Sequence, residues 1–222
     1  MVETVPFANA TVINISRTPC PGVANIPVDL SDPLSWERVA CSFEQEISSY
    51  TGHTAIFIHA AATVQPICFA EDAEHLEAAH SVLLNSAAPQ VLGSFFLSAT
   101  RNRPDLERIA IFLTSGAATH PYEGWSFYGA GKAGIEQWVR TVGEEQRIRG
   151  NALLLAVAPG VVDTPMQQAA RSTTVENFPQ RKRFLELHSK GQLADPQDVA
   201  VKIWSLLEDD YPSGSILDLR RL

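Results

Sequence analysis

Glycine is missing from the start of this 222-residue chain, where the first is Gly22. Cysteine is scarce as well. Cys20, Cys41 and Cys68 are odd in number and widely spaced, which excludes a disulfide-stapled mini-domain and fits a reducing, cytoplasmic location. No apolar run approaches the roughly 20 residues that cross a bilayer, so no membrane partner is expected. Residues 1–10 lack a basic region followed by an apolar stretch, so no signal peptide is expected. Positive charge is in short supply too: 17 Lys and Arg against 25 Asp and Glu give a formal net charge of −8. The only short basic cluster, Arg181-Lys182-Arg183, reads as a solvated helix face, and a nucleic-acid surface is disfavoured.

What remains is an ordinary globular composition, 45% hydrophobic and 19% charged, enough for one core over residues 1–222 as a single domain. Apolar runs at Thr11–Ile15, Val23–Val28, Thr54–Ile58, Arg108–Leu113, Ala152–Ala158 and Ser215–Leu219 alternate with helical patterns. The helical patterns span Leu34–Tyr50, Glu71–Thr100, Ser126–Arg149 and Pro196–Leu207. This alternation predicts an α/β fold, a doubly wound parallel sheet covered on both faces. Asp195-Pro196 reads as the cap and first turn of the last helix, while Pro89 predicts a kink or an irregular start within the long one. Between Pro159 and Asp195 lies a polar insertion, weakly helical at Glu176–His188, that is a candidate lid.

Chemistry is concentrated between residues 115 and 132. Ser115 closes the run Ile109-Ala-Ile-Phe-Leu-Thr-Ser, so it should emerge at the carboxyl end of a buried strand, where open α/β sheets bind ligands. Tyr128 and Lys132 stand four apart at the head of the Ser126–Arg149 pattern and share one helix face. A tyrosine hydroxyl titrates near 10, and an adjacent ammonium would lower that value by favouring the phenolate. Together the three groups suit proton transfer to or from an oxygen while a hydride moves at the neighbouring carbon. No second ligand stands at metal-binding spacing from His59, which reads as a satisfied strand-end histidine, and no metal is expected.

From Thr11 onward these residues resemble the short-chain dehydrogenase/reductase family. The resemblance makes Ser115, Tyr128, Lys132 and Asn85 the catalytic set: Tyr128 as general acid/base, Ser115 orienting the carbonyl, Lys132 on the nicotinamide ribose, Asn85 supporting a proton-relay water. The finer likeness is to the sepiapterin reductase and benzil reductase branch, through His120-Pro-Tyr-Glu-Gly-Trp-Ser-Phe-Tyr128, Ala158-Pro-Gly-Val-Val-Asp-Thr-Pro-Met-Gln167, Lys190-Gly-Gln-Leu193 and Ser213-Gly-Ser-Ile-Leu-Asp218. It implies reduction of a small carbonyl substrate, a vicinal diketone or a pterin side-chain carbonyl, with Trp125, Met166 and Asp218 as substrate contacts. It also implies assembly as a homodimer or homotetramer.

NADP(H) is the cofactor implied, since Arg17 at the end of Asn14-Ile-Ser-Arg17 can pair with a 2′-phosphate where an acidic residue would favour NAD. Asp29, Ala60, Ala61, Tyr128, Lys132, Pro159, Gly160, Val162 and Thr164 match the remaining cofactor-binding positions. His59-Ala-Ala-Ala62 replaces the family's usual Asn-Asn-Ala-Gly. The family's first strand and Gly-rich phosphate turn should precede Thr11, and the absence of glycine there predicts a sheet lacking its first strand. The expectation is a chain that starts at an internal Met of a longer enzyme. A non-catalytic partner subunit is the competing reading.

Overall fold

The computed structural model describes residues 1–222. Strands β1 (Ile13–Ser16) and β2 (Ala24–Pro27) pair in parallel. A cap by Asp32 and a hydrogen bond from Trp36 Nε1 to the Leu30 carbonyl at 2.9 Å then launch α1 (Trp36–Ser49). Next come β3 (Thr54–His59), α2 (His75–Val82), a π-helical turn at Leu83–Ala87, and α3 (Ala88–Thr100). Pro89 sits in the first turn of α3, where its missing N–H costs nothing, and the π turn absorbs the irregularity just before it. The expected single helix Glu71–Thr100 is therefore divided. His75–Thr100 is nonetheless long and apolar enough to cross a bilayer by length and composition; here Leu92 and Phe96 bury against the sheet.

Strand β4 (Glu107–Leu113) leads to α4 (Ser126–Arg149), whose last turn carries Arg147 and Arg149 at the negative end of the helix dipole. After β5 (Leu153–Ala158) the polar insertion folds into α5 (Pro165–Ser172) and α6 (Arg181–Ser189). Helix α5 was not anticipated; Thr164 caps it and Pro165 occupies its first turn. Asp195 accepts from the amides of Gln197 and Asp198 to cap α7 (Pro196–Ser205), and β6 (Ser215–Asp218) ends the fold.

All strand pairs are parallel, in the order β3-β4-β5-β6, with β1-β2 as a separate two-stranded piece. The β1-β2 pair shares no ladder with β3–β6. Alternation along β4 feeds two cores. Ala110 and Phe112 join Phe57, Phe96 and Val139 on one face, and Ile109 and Ile111 join Leu155, Val199 and Ile203 on the other. A third cluster, built around Trp125, Tyr128, Phe178 and Phe184, sits apart from both and caps the carboxyl edge of the sheet.

Candidate active site

Just beyond β4, Ser115 is extended, and its hydroxyl accepts from the Ala117 amide at 3.2 Å, capping a short turn at Gly116–Ala118. That cap holds the hydroxyl at the strand's carboxyl end. Across from it the first two turns of α4 carry Tyr128 and Lys132, both buried. Lys132 Nζ donates to the Leu113 carbonyl at 2.8 Å and lies 5.8 Å from the centre of the Tyr128 ring. Burial draws the lysine pKa down to about 8.

Lys132 was expected to lower the Tyr128 pKa, and the structure gives the opposite balance. Burial raises the phenol above its ordinary value, and the contact that pulls it back is the Ser115 hydroxyl rather than the ammonium. Beneath this pair, Thr114 Oγ1 donates to Glu136 Oε1 at 3.0 Å and Arg140 donates to Glu136 Oε2 at 3.1 Å, so the buried carboxylate is held on both oxygens.

A cavity of about 420 Å³ opens onto Ser115, Tyr128 and Lys132. Of the residues expected to hold cofactor, Ala60, Pro159, Gly160, Val162 and Thr164 line it, and of those expected to touch substrate, Trp125 and Met166 do. Gly160 has φ +85°, a conformation that favours glycine, and Val162 is fixed by a bridge to Ala194. Gly124 has φ +87°, and a Cβ there would lie 2.1 Å from the Asn177 carbonyl oxygen, so only glycine lets the segment around Asn177 cross this loop. Through that crossing Phe178 stacks on Trp125 at 4.5 Å between ring centres.

Five expected site residues, Ala61, Asn85, Arg17, Asp29 and Asp218, do not line the cavity. Ala61 packs against the main hydrophobic core and does not line the opening. Asn85, wholly buried in the π turn, accepts from the Thr63 amide at 2.9 Å and donates to the Thr63 carbonyl at 2.8 Å. Its side chain is spent bracing the loop after β3. Arg17 and Asp29 belong to the separate β1–β2 piece and face each other at 3.7 Å. Asp29 also accepts from the Ser31 amide and hydroxyl, which hold its carboxyl below the ordinary range.

Asp218 is half-buried, and both of its oxygens accept from Arg220. His59 corrects the sequence reading as well. It stacks on Phe112 at the strand end, yet neither ring nitrogen has a partner, and burial followed by the Lys132 charge lowers its pKa to about 3. Sequence reasoning missed Gln167, Phe184, Arg183 and Arg220, all of which line the cavity. The Pro-Met-Gln start of α5 could have signalled Gln167; nothing local singled out the others.

The family model described as enoyl-(acyl carrier protein) reductase matches residues 9–217. The chain is a short-chain dehydrogenase/reductase. It is 34% identical over 195 residues to a benzil reductase ((S)-benzoin forming) of Bacillus subtilis, an alignment covering 85% of this chain and 79% of that protein. A sepiapterin reductase of Xenopus tropicalis is 34% identical over 152 residues, covering 68% of this chain and 56% of that one. The crystal structure of the KRED1-Pglu enzyme superposes with a TM-score of 0.82 at 24% identity, covering 97% of this chain and 92% of that one.

Short-chain dehydrogenase/reductases use a nicotinamide dinucleotide, and the residues present fit its two ends unequally. At the nicotinamide end, Lys132 is entirely buried with one carbonyl as its acceptor, leaving ammonium donors for a ribose, and Gly160 to Thr164 form the facing wall. Toward the adenosine end, the residue that would be available is Arg17, whose guanidinium is exposed. No glycine stands before β1, so residues 1–12 supply no Gly-rich cradle for the phosphates.

Proposed function

We propose that this chain is an NADPH-dependent reductase of small carbonyl compounds, vicinal diketones or a pterin side-chain carbonyl. The observation that carries the reading is the meeting of Ser115, Tyr128 and Lys132 in one cavity beneath an aromatic cap. The substrate oxygen accepts hydrogen bonds from the Ser115 and Tyr128 hydroxyls. Bound NADPH supplies the hydride to carbon. As negative charge develops on the oxygen, the Tyr128 proton passes to it, and carbonyl plus NADPH plus H⁺ become alcohol plus NADP⁺. A phenol whose pKa is raised by burial is fully protonated at neutral pH, the form a proton donor needs. Lys132 steadies the ribose and Trp125, Phe184 and Met166 keep water from the reacting carbon.

Arg17 supports NADPH over NADH because its exposed guanidinium suits a 2′-phosphate. Likeness to benzil and sepiapterin reductases supports the substrate class. Assembly as a homodimer or homotetramer through the face of α4 near Gly129 and Ala133 completes the proposal. A second reading, a non-catalytic partner subunit, is favoured by the interrupted sheet.

The two readings separate in one experiment, titration of the purified chain with NADPH and NADH followed by benzil. The reductase reading expects NADPH-selective binding and turnover that drops about 10²- to 10⁴-fold in Tyr128→Phe without loss of folding. Undiminished turnover in that variant refutes the role of Tyr128; a folded chain that binds no nucleotide favours the partner-subunit reading.

A further inference from the structure

The chain's last residues bring a second chemistry to the cavity. Arg220 Nε donates to Asp218 Oδ1 at 2.8 Å and Nη2 donates to Oδ2 at 2.5 Å, a two-point fork. Its stem runs 3.3 Å from where a Cβ on Gly160 would lie, and its guanidinium reaches within 3.7 Å of the same point on Gly116. Arg220 therefore forms the wall next to Ser115. Arg183 donates to the Tyr122 hydroxyl at 3.2 Å on the same cavity wall.

The charged side chains lining the cavity are Lys132, Arg183 and Arg220, all cations, although the chain carries a formal net charge of −8. No carboxylate lines it. Such a pocket focuses positive potential. Trp125, also in the wall, keeps a buried indole N–H with no acceptor.

A pterin brings a guanidine-like donor edge, and here the acceptors of Asp218 are already filled by a guanidinium of the chain itself. Admitting the pterin edge would break two charge-assisted bonds and press donors against donors. An anion meets the reverse situation. Arg220 keeps Nη1 and one Nη2 hydrogen unspent, fixed in direction by Asp218.

We propose that the cavity selects a carbonyl substrate with a carboxylate beside the carbonyl, a 2-oxo acid bearing an aromatic or bulky apolar group. Arg220 binds its carboxylate, and Asp218 is a positioning residue for Arg220. This rests on the reductase reading and narrows its substrate. The reaction balances as R–CO–COO⁻ + NADPH + H⁺ → R–CHOH–COO⁻ + NADP⁺. One C–H and one O–H bond form, the carbonyl π bond is lost, the proton comes from Tyr128, and the carboxylate is held but not altered.

The test compares benzoylformate with benzil, an anionic and a neutral aryl dicarbonyl, and follows mandelate binding by calorimetry with NADP⁺ present. Wild type is expected to favour benzoylformate in kcat/KM. Arg220→Gln should lower the benzoylformate-to-benzil ratio at least tenfold and weaken mandelate binding to a similar degree. Arg220→Lys should restore part of both, and Lys182→Gln, which removes an exposed cation outside the cavity lining, should change neither. Turnover of benzil without benzoylformate, or a ratio and mandelate affinity within twofold of wild type in folded Arg220→Gln, overturns the proposal and leaves the reductase reading standing. Arg220-dependent mandelate binding without turnover of either compound keeps the anion site and sinks the reductase reading. Failure of both binding and turnover sinks both.

Discussion

Replacing Gly143 by alanine tests how tightly α4, the helix that carries Tyr128 and Lys132, is seated. Gly143 is buried on α4 where it crosses the loop before β6. A Cβ there would lie 2.5 Å from both Cα and N of Gly214 and 2.7 Å from the carbonyl carbon of Ser213. All three are backbone atoms, so no side chain can rotate away. The loop cannot retreat either, because Gly214 N–H donates to the Leu154 carbonyl at 2.8 Å and the Ser213 hydroxyl bridges Ala152 and Leu154.

Overpacking of this kind costs roughly 1–3 kcal/mol, and three close backbone contacts argue for the upper end. Alanine returns about 1 kcal/mol through helix propensity. The net loss of about 2 kcal/mol corresponds to a Tm lower by roughly 4–8 °C for a chain of this length. Gly134→Ala on the same helix is the control. Its Cβ would meet only Ser86 Oγ at 3.1 Å and Gln90 Nε2 at 3.7 Å, both movable. That variant should match or exceed wild type in Tm. Scanning calorimetry of the three proteins decides, and a Gly143→Ala melting point at or above wild type refutes the argument.

Two buried titratable groups give pH-dependent expectations. Lys132 has its pKa drawn from 10.5 to about 8, so between those values the unfolded chain holds more protons and stability from this group rises with pH. Below pH 8 its full burial cost, on the order of 3 kcal/mol, is present. The Tm advantage of Lys132→Met over wild type should therefore be largest near pH 7 and shrink toward pH 10; a constant difference contradicts this. His59, with its pKa lowered from 6.5 to about 3, loses stability as pH falls through that window, because only the unfolded chain takes up the proton. His59→Leu, by removing two unpartnered ring nitrogens, should raise the urea midpoint at pH 7 by about 1–3 kcal/mol in unfolding free energy, and by more at pH 4. An equal gain at both pH values would disprove the buried neutral imidazole.

Helix α4 was legible to the residue, Ser126–Arg149, because its apolar period is unbroken and Gly150 follows it. The inner strands were legible for a related reason: burial on both faces leaves continuous apolar runs, as in Arg108–Leu113. Helix α5 was hidden because its eight residues are mostly polar, although Thr164-Pro165 carried a start signal. The long helix reads as one piece because its composition does not reveal the π turn at Leu83–Ala87, within which Asn85 turns inward to Thr63. In the site, Ser115, Tyr128 and Lys132 were found by spacing. In the sequence Arg183 reads as part of a solvated basic cluster, and nothing local marks Arg220. Its meaning lies in where its stem passes, over Gly160 and toward Gly116, and in its capture of Asp218, neither of which is a local property of the chain.

The divided sheet gives this molecule two hydrogen-bonded ladders joined through one hydrophobic core, a two-stranded unit held more loosely and a four-stranded unit held more tightly. Strands β1 and β2 exchange ladder hydrogen bonds only with each other, and side chains such as Ile15 and Ile26 fasten them to the core around Phe57 and Phe96. A fluctuation can release those eight residues without breaking one rung of the β3–β6 ladder. Arg17 and Asp29 ride on the looser unit, and Ser115, Tyr128 and Lys132 are built on the tighter one. Mutations that soften β1–β2 are thus expected to displace Arg17 and Asp29 first and to leave Ser115, Tyr128 and Lys132 in place.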